Sequence, residues 1–161
     1  MTLNIVILSL VTLERLVELA LSRRNTLRLL DKGAHEHAPG HYPLIVSLHA
    51  LWLASLWWLA PLRPIDGFWL AVFLLLEFGR LWVLTTLGRR WTTRIIVLPG
   101  APLVRRGPYR LVNHPNYWVV IGEIATLPLV FGLWQLSLLF TLLNAAVLIV
   151  RIRRENEALG R

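Results

Sequence analysis

The residues with the most useful chemistry lie in two stretches, one near the middle of the chain and one near its end. Residues 107–117 include an imidazole at His114 and a phenol at Tyr117. The second stretch includes a guanidinium at Arg151 and a carboxylate at Glu155, which share one face of a helix because they are four residues apart. Together the two stretches supply hydrogen-bond donors, acceptors and both signs of charge. If they are neighbours in space, they can hold a small charged molecule.

The pair His114-Pro115 predicts the start of a helix, since proline is favoured in the first helical turn. The amides of such a turn can receive an anion. Another interpretation remains open at this point. His114, Tyr117 and Arg151 can also serve only to anchor helix ends at the lipid headgroups, where such side chains are common.

The composition is that of a membrane protein. Hydrophobic residues make up 56% of the 161 residues, and the mean hydropathy is +0.59. The net charge of +8 is compatible with nucleic-acid binding, but basic residues also gather on the cytoplasmic side of membrane proteins. Because the sequence has no basic helix and no strand that mixes aromatic and basic residues, we predict no nucleic-acid partner. The absence of cysteine excludes disulfides and thiolate metal sites.

Five apolar segments predict an all-α, polytopic integral membrane protein that forms one domain over residues 1–161. The last apolar run, residues 116–150, carries a single charge at Glu123 and is too long for one span of roughly 20 residues. Pro128 and Gly132 supply a break, so this run is predicted to form a helical hairpin. The predicted membrane helices cover residues 3–21, 42–59, 65–87, 116–131 and 133–150, with a cytoplasmic loop over residues 88–113.

Basic residues are segregated between the two sides of this five-helix arrangement. The segments 22–41 and 88–113 and the tail after residue 150 hold 14 Lys and Arg residues, whereas the two other connections hold only Arg63. The positive-inside rule therefore predicts an N-terminus outside and a C-terminus in the cytoplasm. In this arrangement the start of the fourth helix lies beside the end of the fifth, which brings the two chemically useful stretches together.

Charged residues within the apolar segments form a second group. Glu14, Arg80 and Glu123 each lie seven residues from the cytoplasmic end of their helix, which places all three roughly 10 Å below the surface. Glu18 and Glu77 lie one turn away from this level. We expect Arg80 to pair with Glu14, Glu77 or Glu123, because charges inside a bundle normally pair. Such a group can mark a working cavity, or it can be a purely structural clamp.

The two basic loops are predicted to be mostly irregular. Residues 94–98 consist of Arg94 and four apolar, mainly β-branched residues and precede Pro99-Gly100, which predicts a short hairpin or an extended flap over the site. His35, His37 and His41 raise the question of a metal site. Their spacing does not place them on one face of a helix, so we predict a loop without metal.

The order of residues in the two stretches is specific. Gly107-Pro108-Tyr109-Arg110 is followed by His114-Pro115-Asn116-Tyr117, then by Glu123, and finally by Arg151 with Glu155. This order resembles the isoprenylcysteine carboxyl methyltransferase family, whose signature reads Gly-Pro-Tyr-Arg, a short gap, His-Pro-x-Tyr and a C-terminal Arg-x-x-x-Glu-Glu-x-x-Leu. Two positions depart from it: Asn113 stands where the family often has Arg, and Asn156 replaces the second Glu.

The segment from Arg90 to Arg94 also looks like a small bacterial branch of that family, whose members are associated with methylating lipid-like polyketide products. The resemblance implies S-adenosylmethionine as the cofactor of an enzyme in the bacterial inner membrane. It implies that Glu155 holds the cofactor's amino group and that Arg151 faces a reacting carboxylate or orients the cofactor. Glu123, a charge inside the helix that begins with His114-Pro115, is a second catalytic candidate. The residues expected at the cofactor are Tyr109, Arg110, His114, Pro115, Asn116, Tyr117, Arg154 and Glu155.

These residue types suit methyl transfer, which is an in-line displacement that depends on alignment and desolvation. A carboxylate acceptor needs a positioning cation, for which Arg is better suited than Lys. A phenol or enol acceptor needs a base, for which His114 or Glu123 are candidates.

We therefore expect a methyltransferase whose acceptor is lipophilic, either a carboxylate of isoprenylcysteine type or an enol or phenol of a lipid-like polyketide. Its expected partners are this lipophilic or prenylated acceptor and the membrane lipids. Two alternatives remain: a phospholipid N-methyltransferase, which would methylate an amine, and a small membrane scaffold without enzymatic activity.

Overall fold

The computed structural model describes residues 2–159, except for the side chains of His41 and Leu159. Arg161, which belongs to the basic tail, lies outside the described residues. Five long helices dominate the described part: α1 (Thr2–Leu30), α2 (Tyr42–Leu59), α3 (Gly67–Leu87), α4 (Pro115–Val130) and α5 (Trp134–Leu159). The predicted all-α class is confirmed, and each apolar segment corresponds to one of these helices.

The first and last helices are longer than predicted. α1 continues nine residues past the expected end at residue 21, and α5 continues nine residues past residue 150. Both extensions are polar, but they are rich in good helix formers and contain neither Gly nor Pro. α1 is followed by Gly33, whose positive φ of 85° lets its N–H bond to the carbonyl of Leu30 at 2.9 Å. In α1 and α5 the apolar residues therefore end before the helix does, so the predicted ends were too early.

The predicted hairpin of α4 and α5 is confirmed. The chain reverses at Gly132, whose φ of 67° is accessible to glycine, and the N–H of Leu133 bonds to the carbonyl of Pro128 at 2.9 Å. Pro128 itself lies inside the last turn of α4 and does not break it. The hydroxyl of Ser137 donates to the carbonyl of Ala125 at 2.6 Å and holds the two helices together.

The bundle buries several polar groups beside its apolar core and exposes large apolar side chains on its surface. Arg80, Glu123 and Asn144 are almost fully buried, whereas Leu75 and Phe78 on α3 are about 70% exposed. Within residues 2–159, three helices are long and apolar enough to cross a membrane: Tyr42–Leu59, Gly67–Arg90 and Trp134–Ala158. α4 has 16 residues, fewer than the roughly 20 of a typical span, and α1 carries six charged residues between Glu14 and Arg28. The number of five crossings therefore stays a prediction.

The loops form a ribbon that the sequence did not predict. Strand β1 (His35–Glu36) pairs antiparallel with strand β2 (Ile96–Val97). Of the two expectations for residues 94–104, the hairpin is wrong, because β2 pairs with the loop between α1 and α2. The other, an extended segment, agrees with β2. Arg94 strengthens the connection through an ion pair with Glu36 at 2.9 Å. The ribbon covers the end of the bundle at which the basic loops gather, which we call the basic end.

Candidate functional site

The α4–α5 hairpin brings the two chemically useful stretches into direct contact. The phenol of Tyr117 donates a hydrogen bond to the carboxylate of Glu155 and accepts one from Nε of Arg151 at 2.8 Å. The guanidinium of Arg151 also lies 5.5 Å from the centre of the Tyr117 ring. Since all three side chains are more than half buried, the arrangement fixes their relative positions. The predicted proximity of these residues is confirmed by this geometry.

His114 completes this group from the start of α4. Its ring stacks on Tyr117 with 5.3 Å between the ring centres, and its Nδ1 lies 3.7 Å from Glu155. Its Nε2 lies 3.3 Å from the side-chain oxygen of Asn156, to which a protonated Nε2 donates. Asn156, one of the two departures from the family signature, therefore supports the orientation of the imidazole.

Thr93 connects this group to the first two helices. Its carbonyl accepts a hydrogen bond from Nη2 of Arg151 at 2.7 Å. Its N–H donates to the hydroxyl of Ser22 in α1 at 2.8 Å, and its own hydroxyl lies 3.2 Å from the phenol oxygen of Tyr42 in α2. Sequence reasoning missed this role, although the segment Arg90–Arg94 was noted as part of the resemblance. One short loop thus holds Arg151 in place against α1 and α2.

The Gly-Pro-Tyr-Arg stretch forms a 3-10 turn over Gly107–Arg110. Gly107 has a φ of 55°, and a Cβ at this position would lie 2.5 Å from the hydroxyl oxygen of Thr86. Glycine is therefore required both by the backbone conformation and by the space available. The turn presents Tyr109 to the site, where burial, and then the negative charge of Glu155, raise the pKa of its phenol. Tyr109 is therefore a protonated hydrogen-bond donor at neutral pH.

We expect Gly107→Ala to destabilise the protein by about 1–3 kcal/mol from backbone strain alone, with the contact to Thr86 adding to this loss. Thermal unfolding in detergent micelles measures the change. Gly40→Ala is the matched control, because a Cβ at Gly40 meets nothing within 4 Å. Similar unfolding temperatures for the two variants would contradict this explanation of Gly107.

Two cavities meet at this group of residues. The first, the loop cavity, has a volume of about 410 Å³ and lies between residues 95–104 and the ends of α4 and α5. The second, the helix cavity, has a volume of about 270 Å³ and lies among α1, α2, α4 and α5. Their shared lining consists of Trp91, Thr92, Asn116, Tyr117 and Arg151.

The structure separates the predicted site residues other than Glu123 into three groups. Those that line the loop cavity are Tyr109, His114, Asn116, Tyr117, Arg151 and Glu155. Pro115 is buried at the start of α4, where it orients the helix. Arg110 and Arg154 are exposed, and Arg154 pairs with Glu157 on the surface of α5. Within residues 2–159, neither of these arginines lines either cavity.

Glu123 lies in a buried ion cluster. Its carboxylate accepts two hydrogen bonds from Arg80, one from Nε at 2.6 Å, and a third from Arg15 at 2.8 Å. Arg80 also pairs with Glu18 at 2.9 Å, while Glu14 and Glu77 lie at the edge of the cluster, each 3.8–3.9 Å from an arginine.

Part of this cluster was predicted. The expected pairing of Arg80 with Glu123 is confirmed, but the contributions of Glu18 and Arg15 were missed. In the described part of the chain, Glu123 lines neither of the two cavities, so its position favours a structural role. The loop histidines have a structural place too: His35 lies in β1, and the N–H of His37 bonds to Ile95.

Comparison with known proteins identifies the family of this chain. Residues 69–161 match the isoprenylcysteine carboxyl methyltransferase (ICMT) family. The chain is also similar to the uncharacterized protein YpbQ of Bacillus subtilis (strain 168), with 38% identity over 160 residues, which cover 95% of this chain and 94% of that protein. No solved structure matches it. With three helices of membrane-spanning length and a match that includes the whole α4–α5 hairpin, the chain belongs to the isoprenylcysteine carboxyl methyltransferase family and is an integral membrane protein.

Proposed function

We propose that the protein transfers a methyl group from S-adenosylmethionine in the loop cavity to a lipophilic acceptor in the helix cavity. The observation that carries this proposal is the meeting of two chemically different cavities at one wall, which contains Tyr117 and Arg151. A group transfer between two bound molecules requires such an arrangement, because their reacting atoms must touch while the rest of each molecule occupies its own site.

The loop cavity fits the chemistry of the donor. Glu155 and the side-chain oxygen of Asn116, which is buried without a hydrogen-bond partner among residues 2–159, are acceptors for an ammonium group. Arg90 and Arg94 line the same cavity and suit a carboxylate. The apolar residues 95–98 offer a surface for a flat base. When bound, the cofactor supplies an activated methyl group on a sulfonium.

The helix cavity fits an apolar acceptor. Apolar side chains from α1, α2 and α5 form most of its wall, among them Leu16, Val46, Leu53 and Val147. An alkyl or isoprenoid tail would therefore be bound by burial of apolar surface. The natural acceptor in this proposal is a lipid-like carboxylate, enol or phenol. An amine is disfavoured, because the shared wall already holds the cation of Arg151.

Arg151 acts in this proposal as the residue that aligns the acceptor. Two of its five N–H groups bond to Tyr117 and Thr93, which orients the guanidinium and leaves other N–H groups for an acceptor oxygen. Metal is not needed for this chemistry, because the leaving group is a neutral thioether.

The orientation in the membrane is also proposed. We infer that the basic end faces the cytoplasm, because it gathers the basic loops, and that the N-terminus lies outside. Cofactor then enters the loop cavity from the cytoplasm, and the acceptor reaches the helix cavity from the bilayer. Similarity to a protein of Bacillus subtilis supports a bacterial membrane, in which a prenylated protein is not a natural acceptor.

Arg151→Lys is expected to lower the turnover number at least about tenfold while changing the affinity for S-adenosylmethionine by less than threefold. A lysine keeps the charge, but it cannot bond to Tyr117, Thr93 and an acceptor oxygen in one plane. Turnover is measured with a saturating acceptor, and affinity by equilibrium dialysis. Equal losses in both quantities would assign Arg151 to the cofactor.

The proposed function is tested with purified protein in detergent and radiolabelled S-adenosylmethionine. Saturable binding is expected first, followed by transfer of label to a component of a bacterial lipid extract. Mass spectrometry of the labelled product identifies the acceptor. Absence of saturable binding would remove the enzymatic interpretation and favour a membrane scaffold.

A further inference from the structure

We propose that His49 is the base that accepts a proton from a hydroxyl-bearing acceptor during methyl transfer. This inference rests on the proposed function and makes it more specific. His49 lies on α2 and lines the helix cavity together with Tyr117 and Arg151 of the shared wall. It belongs to the acceptor's cavity, whereas His114, the histidine favoured by sequence reasoning, lines the loop cavity.

The hydrogen bonding of His49 selects one tautomer of its ring. Nδ1 lies 2.9 Å from the carbonyl oxygen of Ile45, one turn earlier in α2. A carbonyl oxygen only accepts, so Nδ1 carries the proton, and Nε2 of the neutral ring carries a lone pair. Within residues 2–159, that lone pair is not used in a hydrogen bond to another group. The ring is therefore held in place and has an unoccupied acceptor.

The other ionisable groups on the wall of the helix cavity are already engaged. Glu18 accepts hydrogen bonds from Arg15 and Arg80, which occupy its carboxylate oxygens. The phenol of Tyr42 bonds to Thr93, and the phenol of Tyr117 bonds to Glu155. The guanidinium of Arg151 bonds to Tyr117. Among the described ionisable lining residues, His49 is the one that combines a fixed ring with an acceptor nitrogen that no hydrogen bond uses.

The transfer step is balanced in charge and atoms. The acceptor's oxygen forms a bond to the methyl carbon as the bond between that carbon and the donor's sulfonium sulfur breaks. The proton of the acceptor's hydroxyl moves to Nε2 of His49, directly or through one water. The positive charge of the sulfonium is thereby replaced by that of an imidazolium. A carboxylate acceptor has no such proton, so His49 has this role only for a phenol or an enol.

The test compares two acceptors that share one alkyl tail and differ in the acidity of the hydroxyl. The first is a long-chain 4-alkylphenol, which is protonated at pH 8, and the second is its 2-nitro derivative, which is largely ionised there. In His49→Asn, the amide nitrogen of asparagine takes the place of Nδ1 and keeps a donor for Ile45, while the base is lost. His35→Asn is the matched control, because His35 is exposed in β1.

We expect His49→Asn to lower the turnover number on the alkylphenol by about a hundredfold or more, and on the nitrophenol by less than threefold. Affinity for S-adenosylmethionine and for both phenols, followed by dialysis and tryptophan fluorescence, should be unchanged. His35→Asn should match the wild type throughout.

Equal losses on the two phenols, or loss of phenol binding, would give His49 a structural role and overturn the proposal. Wild-type protein that binds S-adenosylmethionine but methylates neither phenol would overturn it as well, while the donor site would stand. Failure to bind the cofactor would instead remove the proposed function itself.

Discussion

Replacing Glu155 by alanine should lower the affinity for S-adenosylmethionine about ten- to a hundredfold. A hydrogen bond to a charged group contributes about 1.5–3 kcal/mol, and Glu155 offers the carboxylate that suits the cofactor's ammonium group. The substitution also frees the phenol of Tyr117 and removes the anion beside His114. Equilibrium dialysis of the purified variant with radiolabelled cofactor measures the change.

Glu157→Ala is the matched control for this experiment. Glu157 lies two residues further along α5, its side chain is 54% exposed, and it pairs with Arg154 on the surface. Removing it takes away the same charge from the same helix without altering the loop cavity. If both variants bind the cofactor as the wild type does, the loop cavity is not the cofactor site. If both lose affinity equally, the effect comes from overall charge.

Arg80→Met should lower the stability of the folded protein by about 3–5 kcal/mol, which corresponds to a fall in the unfolding midpoint on the order of 10 °C. The substitution retains a side chain of similar size but leaves the carboxylates of Glu18 and Glu123 buried without their main cation. Thermal unfolding in detergent, followed by circular dichroism, provides the measurement.

Two further variants identify the cause of this loss. Arg154→Met removes an arginine from an exposed pair, with a side chain that is 53% exposed, and should change stability by only about 0–1 kcal/mol. Adding Glu123→Gln to Arg80→Met should restore part of the stability, since it removes one uncompensated charge. Glu123→Gln alone is measured as well. If the double variant loses as much stability as Arg80→Met and Glu123→Gln lose together when measured separately, packing and not charge holds the cluster.

Much of the fold could be predicted from the order of residues alone. Apolar runs of nearly membrane length located all five helices, and the Pro128–Gly132 segment located the reversal between α4 and α5. That reversal in turn predicted the meeting of Tyr117 with Arg151 and Glu155, because a hairpin brings the start of one helix to the end of the next. Their roles in binding and transfer stay predictions.

Other features depend on contacts between distant parts of the chain, and a local pattern does not select among the possible partners. The sequence of residues 94–98 predicts an extended segment, but several loops can pair with such a segment. Only the packed structure shows that its partner is His35–Glu36. Arg80 likewise had several carboxylates at its level, and the rotation of α1 decided that Glu18 joins Glu123.

The cavities are the clearest example of this limit. The sequence by itself determined which elements form and which charged and aromatic groups stand at their ends, because these follow from periodicity and spacing along one chain. Only the tertiary structure decided that His49 shares a cavity with Arg151 while His114 lines the other one. A cavity is space left between elements, so its walls depend on how helices are rotated and packed against one another, and that packing is set by all of them together.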